Sequence, residues 1–434
     1  MNENLFSTLK LLALNIRRTI NDGISDGTIK PEEKIYFRWK VDKFQYTDKG
    51  VTESNAHGEY ITKPSWFHAT LKLTELIKNS NEYNSALEQL ANVFGKGDML
   101  SRALENFVRK LIHECLYNTK FEEAKIEAFI KIFLKDLHEE PIKCGAKIEL
   151  RGIALRPEKV ELSHSITLRK TKIEDLEEEF PTYSFMQPHF LLPSAILNIE
   201  FLGREAIEIQ RKIEQAITIL RLFKVGSVEW IRYHMYSDSI TNIMSAILTS
   251  GRIGATLETY LITEEDISKL KKFWQIMSNI IPLSFFEPTI TKIDHLTVAY
   301  NRYCDSLFQN GILERRIANA VMGLEALFLK SGETQELVYR LSFRISKLLS
   351  LLGYDPHEIK KIVNDAYKIR NIFAHGGHLS YKEKKKIESK YKDIMNFLRL
   401  LLEYLRISII VIMLSRREKD ELIDLIDDSF VDKK

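Results

Sequence analysis

The spacing of apolar residues changes along this chain, and that change constrains the fold more than any other feature. Up to about residue 290 the repeat switches between two residues and three-to-four residues; beyond Pro288 only the longer repeat remains. A two-residue repeat puts apolar side chains on one face of a strand, which needs neighbouring strands. A repeat of three to four puts them on one stripe of a helix, which needs something to pack against. The pattern predicts an α+β fold. A mixed N-terminal region covers 1–290, with an internal division expected near 145, and an all-helical bundle covers 291–434.

Leu5, Leu9, Leu12, Leu14 and Ile16 mark a helix over 4–22. Ile35, Phe37, Trp39 and Val41 then alternate with Tyr36, Arg38 and Lys40, as in a half-buried strand. The helical repeat returns from 64 to 135. Ile148 and Leu150 alternate with charged neighbours. After the turn-like Arg156-Pro157-Glu158-Lys159, Val160, Leu162, Ile166 and Leu168 do the same, so a hairpin is expected there. Leu197, Ile199 and Phe201 give another strand, Ile209 to Leu220 a helix, and Val228 with Trp230 one more strand. Thr263-Glu264-Glu265-Asp266 resembles a capping box opening a helix through Trp274 and Met277.

The C-terminal stripes run from Leu296 to Leu307, from Ile317 to Phe328 and from Leu337 to Leu352, the last stopped by Gly353. Asp355-Pro356-His357-Glu358 combines an N-cap aspartate, proline at the first helical position and a glutamate three residues after the cap. The helix it opens carries Ile359, Ile362, Val363, Ala366, Ile369 and Phe373 on one face. One long helix from about Tyr381 to Arg417 is expected to follow, then a charged tail lying over the surface.

The formal charge of +3 is too small for a nucleic-acid coat, so any phosphate binding needs a local patch. Cys115, Cys144 and Cys304 are far apart with no CxxC spacing, which argues against a zinc ribbon or disulfide framework and for a reducing compartment. Met1-Asn2-Glu3-Asn4 does not open a signal peptide. Ile407 to Leu414 is too short to span a bilayer. A cytoplasmic protein without membrane partners is expected. The histidines outside the motif below show no HxH or HxxxH pairing, so no metal site is expected. No Walker A or GxGxxG sequence calls for a cofactor.

The chemistry concentrates in Arg370-Asn371-Ile372-Phe373-Ala374-His375, followed by Gly376-Gly377. Arginine holds phosphate with a rigid fork of donors, and histidine transfers protons near neutral pH. Five positions apart on an unbroken helix, Arg370 and His375 would point about 140° away from each other. Glycine just past a helix end favours a left-handed cap, and a helix ending there lets His375 turn toward the Arg370 side. Asn371 and His375, four apart, are neighbours already. The bland alternative is that His375 only caps the helix end.

Glu325 is placed to pair with Arg370 or Arg340, most simply as a stiffening salt bridge. Arg340 and Arg344 line the cleft or belong to a solvated face. Lys384 and Lys385 belong to a basic strip, with Lys382, Lys386, Lys390 and Lys392, that either tracks an RNA backbone or is an ordinary exposed helix face.

On these residues the segment from Ala318 to Gly377 resembles a HEPN domain (higher eukaryotes and prokaryotes nucleotide-binding). The family's R-x(4–6)-H pattern is matched by Arg370-Asn371 followed by His375. Met322-Gly323-Leu324-Glu325-Ala326-Leu327-Phe328 and Leu341-Ser342-Phe343-Arg344-Ile345, followed by Tyr367-Lys368-Ile369-Arg370, are similar to its ApeA-like branch, as is His375-Gly376. The resemblance covers roughly the last third of the chain. It implies a metal-independent endoribonuclease, often in prokaryotic defence, that assembles as a homodimer so that two copies of the motif share one cleft. Arg370, Asn371 and His375 would then be catalytic, RNA the partner, and the N-terminal region the seat of an unknown trigger. The alternative is a non-catalytic bundle that binds a nucleotide, RNA or a protein.

Overall fold

Wound as a helix, Leu5, Leu9, Leu12 and Ile16 share one stripe, and helix α1 (Glu3–Ser25) buries all four. The computed structural model describes residues 2–118, 122–177, 179–181, 192–203, 206–241, 246–249, 258–287, 294–308 and 312–429. Pro288, where the β pattern ends, and His189 lie outside them. Strands β1 (Glu32–Thr47) and β2 (Gly50–Ser65) form a long antiparallel hairpin after α1. Helices α2 (Phe67–Lys78), α3 (Asn81–Phe94), α4 (Asp98–Tyr117) and α5 (Glu123–Leu137) follow and share an apolar core with α1.

The chain is α+β. Its main sheet has six strands in the order β10-β9-β3-β8-β6-β5, every neighbouring pair antiparallel. These are β3 (Ile142–Arg151), β5 (Lys159–Ser163), β6 (Ile166–Lys170), β8 (Ala195–Gly203), β9 (Glu229–Ser237) and β10 (Ala246–Thr249). Strand β4 (Ile153–Leu155) pairs in parallel with β11 (Tyr260–Ile262), and β7 (Glu179–Pro181) joins the edge of β1. Helix α6 (Ala206–Phe223) packs on β3, β8 and β9.

The hairpin expected across Arg156–Lys159 is not formed. Strand β3 pairs with β8 and β9, and the hairpin is β5–β6, folded at the two-residue turn His164-Ser165. The alternation conceals that turn. Leu162 and Ile166 are four apart, an even number, so the two-residue repeat passes through unbroken.

Helices α7 (Asp266–Ile280), α8 (His295–Phe308), α9 (Leu313–Phe328), α10 (Leu337–Ser350) and α11 (Pro356–Ala374) fall where the stripes place them. The long final helix is instead two, α12 (Tyr381–Tyr391) and α13 (Ile394–Ser415). Lys392 turns to φ +70°, and the Asp393 side chain accepts the Asn396 backbone N–H at 2.7 Å. The Asn396 amide returns a bond to the Tyr391 carbonyl at 3.0 Å, so both helix ends are capped at the break. The charged tail, in its described residues, is helical rather than extended. It forms α14 (Lys419–Asp428), which buries Ile423 and Ile426.

Two apolar cores result. The smaller is built from α1–α5 with Ile240 inserted from beyond β9, and the larger runs from Ile142 to Ile426 through the sheet, α6, α7 and the bundle. The division falls between Leu137 and Ile142, and the change of period near 290 lies inside the larger core. Arg406 of α13 is one reason. Its guanidinium donates to the Leu222 and Phe223 carbonyls at 2.6 and 3.0 Å, capping the C-terminus of α6. The two cores meet at Asp136, whose buried carboxylate accepts from Ser239 Oγ, Thr241 Oγ and the N–H groups of Ile240 and Thr241 at 2.7 to 2.9 Å. Among the described residues no helix is long and apolar enough to cross a membrane.

Candidate functional site

Helix α11 positions the motif, and its ends are set by local chemistry. The Asp355 side chain accepts the His357 N–H at 2.9 Å and Pro356 opens the first turn, as the sequence predicts. Ile359, Ile362, Val363, Ala366 and Ile369 are buried. Phe373 is only half-buried, and Tyr367, off the expected stripe, is buried instead. At the other end Gly376 adopts φ +78°, donates to the Phe373 carbonyl at 2.9 Å, and is followed by Gly377 donating to Ile372 at 2.9 Å. This is a Schellman turn. It makes His375 the C-cap residue, with the chain leaving the helix axis just after it.

Arg370, Asn371, Glu325 and Tyr367 come together. One Arg370 nitrogen donates to Asn371 Oδ1 at 3.2 Å and another to Glu325 Oε2 at 3.3 Å, the long end of the hydrogen-bond range. The guanidinium sits 5.5 Å from the centre of the Tyr367 ring. Glu325 comes from α9, which packs along α11. Burial pushes its carboxyl above the usual range, while Arg370 and the Tyr367 hydroxyl pull it down. Burial, and then the Glu325 charge, raise the Tyr367 hydroxyl. Two of Arg370's five N–H donors are thus engaged in these contacts, and its side chain is 30% exposed.

His375 stands apart from that cluster. Its backbone N–H closes the helix on the Asn371 carbonyl at 3.1 Å. The residue is exposed, and its ring has no hydrogen-bond partner among the described residues. The turn that lets the imidazole swing is therefore present, whereas a contact between His375 and Arg370 is not.

Arg344 is neither a cleft-lining residue nor part of a solvated face. It is 1% exposed and spends all five donors internally. Two go to Glu333 at 2.8 Å, two to Asp427 at 2.9 and 2.7 Å, and one to the Phe328 carbonyl at 2.7 Å. No N–H is left for a phosphate, so its role is to clamp α9, α10 and α14 together. Arg340, half exposed on the same helix, pairs with Glu333 at 2.9 Å.

The strip on α12 is exposed but partly paired. Lys384 Nζ lies 3.8 Å from Glu314, a carboxylate with 3% of its side chain exposed, and Lys390 reaches Asp365 at 2.8 Å. Lys385 places its ammonium 4.8 Å over the Tyr381 ring. Lys382 and Lys386 are exposed without a partner among the described residues.

Sequence reasoning passes over Tyr367, Glu333, Asp427 and Glu314 as site or supporting residues. Tyr367 had a usable signal, because it precedes Arg370 by three positions and shares its helix face. The three carboxylates had none. Glu333 lies in a loop, and Asp427 is 83 positions from the arginine it binds. Compared with protein-family models, with curated proteins and with solved structures, the chain matches none of them.

Proposed function

We propose that the C-terminal bundle is a HEPN-type endoribonuclease, acting on RNA without a metal as a cytoplasmic homodimer in prokaryotic defence or stress response. The carrying observation is the end of α11. A partly exposed guanidinium and an exposed imidazole, the first with donors unspent and the second unengaged among the described residues, lie within one Schellman-capped segment. In the proposed reaction the ribose 2′-oxygen attacks the adjacent phosphorus and the bond to the 5′-oxygen breaks. The products are a 2′,3′-cyclic phosphate and a free 5′-hydroxyl. One imidazole accepts the 2′-OH proton, a second protonates the departing oxygen, and arginine holds the charge that builds on phosphorus. One copy supplies only one His375, so a second copy completes the pair. Asn371, whose amide N–H groups have no partner among the described residues, orients the phosphate or the imidazole. The N-terminal region serves as sensor or restraint.

The test is cleavage of labelled single-stranded RNA in EDTA. Fragments ending in 2′,3′-cyclic phosphate are expected from the native chain, none from His375→Ala, and none from the matching DNA, which lacks the 2′-OH. Cleavage that survives His375→Ala overturns the proposal. A second reading is favoured by the Glu325–Arg370 contact: a bundle in which the pair only holds α9 to α11 while the surface binds a nucleotide, RNA or protein. It predicts RNA retention without cleavage, and helix loosening as the main effect of Arg370→Ala.

A further inference from the structure

A second candidate site lies on elements that carry none of the α11 cluster. The β5–β6 turn and helices α6 and α7 surround a pocket of about 700 Å³. Its lining includes Lys212 from α6 and Lys271 and Lys272 from α7, and no aspartate or glutamate. None of these lysines forms an ion pair among the described residues; Lys212 only rests 5.2 Å from the Phe201 ring centre. Glu161, a carboxylate within the field of Lys271, is outside the lining and already bonded to Lys159 at 2.8 Å.

A comparable pocket lacks this imbalance. A pocket of similar size beside α1 and α2, about 590 Å³, is lined by Arg18, Lys30 and Lys72, but also by Asp22, Asp26 and Glu32, so its formal charges cancel. Three like charges around one concavity, with no carboxylate in the lining, favour an anion between them. The remaining lining suits the same ligand. The Ser163 and Ser165 hydroxyls bond to each other at 3.3 Å, which leaves one hydroxyl donor to join the Gln275 amide beside the ammonium groups, and Trp274, almost wholly buried, forms part of the wall. The volume lies within the range of small-molecule sites.

We propose that this pocket binds a small phosphate-bearing polyanion of triphosphate size, placing an anionic effector on the α+β part of the chain. The inference does not rest on the nuclease reading. Three flexible ammonium groups, from two helices, match a chain of phosphates better than one sulfate-sized ion. Inorganic tripolyphosphate and a nucleoside triphosphate share that chemistry.

The test is calorimetric titration of the full chain at about 0.15 M salt, where loose surface attraction is screened. Tripolyphosphate should bind saturably, and sulfate at least about tenfold more weakly. ATP binding tighter than tripolyphosphate identifies a nucleoside-bearing effector; equal affinity identifies the phosphate chain alone. Lys271→Gln with Lys272→Gln, both exposed and so dispensable for folding, should weaken binding by about tenfold or more. Gln275→Glu, which introduces a carboxylate, should do the same, while Lys96→Gln with Lys125→Gln should not. The absence of saturable tripolyphosphate binding below about 1 mM overturns the proposal. So does binding that neither pocket variant weakens, or binding of RNA oligomers at these lysines in place of the small polyanion.

Discussion

Replacing Glu333 by glutamine tests whether charge holds the junction of α9, α10 and α14. Glu333 accepts from Arg344 at 2.8 Å on each oxygen, from Arg340 at 2.9 Å and from the Lys330 backbone N–H at 2.9 Å. Arg344 holds its carboxyl down from an ordinary 4.5 to about 2, against an opposing push from burial. At about 1.36 kcal/mol per pH unit, that difference corresponds to about 3 kcal/mol at neutral pH. Asp427, with 38% of its side chain exposed, still neutralises part of Arg344 in the variant, so about 2 kcal/mol is the expected net loss. The pH dependence has a definite sign. Because the folded carboxyl is the stronger acid, its contribution is complete above about 4.5 and disappears as the pH falls toward 2. Hydrogen exchange followed by mass spectrometry should show α14 and the start of α10 opening roughly 30-fold more often at neutral pH. In urea unfolding, the gap between native chain and variant should narrow as the pH drops below about 4. Exchange unchanged within a factor of about 3, or a gap that widens on acidification, would refute the charge clamp.

Two further substitutions probe the surrounding architecture. Gly376→Ala puts a side chain at φ +78° and should cost about 1–2 kcal/mol, fraying the end of α11 and lowering RNA cleavage more than it lowers the melting temperature. Asp136→Ala leaves four donors without their acceptor and should cost about 3 kcal/mol. Limited proteolysis should then release α1–α5 from the larger core before the bundle is cut; simultaneous loss of both cores would argue against Asp136 as the tie.

Much of the local architecture is legible in the residues because its causes are local. Apolar spacing alone predicts α1, β1, α6 and α8 to α11, since a helix or strand stripe is written within a few turns of chain. The ends of α11 are equally local: Asp355-Pro356 opens it and Gly376 closes it through bonds to residues a few positions away. The exposed position of His375 follows from that closure. The break at Lys392–Asp393 was written in the chain as well, in the Asp393 and Asn396 caps, but an apolar stripe continuing on both sides outweighs a single cap in any pattern reading.

What only tertiary structure decided are contacts between residues that share no period. Arg344 is a cleft-lining or solvated charge by sequence and a saturated internal clamp in the fold, because Glu333 and Asp427 reach it from a loop and a later helix. The order of strands in the six-stranded sheet, with β3 between β8 and β9, is set by which apolar faces can be covered together and leaves no mark in any single segment. Lys212, Lys271 and Lys272 resemble ordinary surface charge until packing places them around one concavity. A side chain's spacing states which face it occupies; only the fold states what stands opposite.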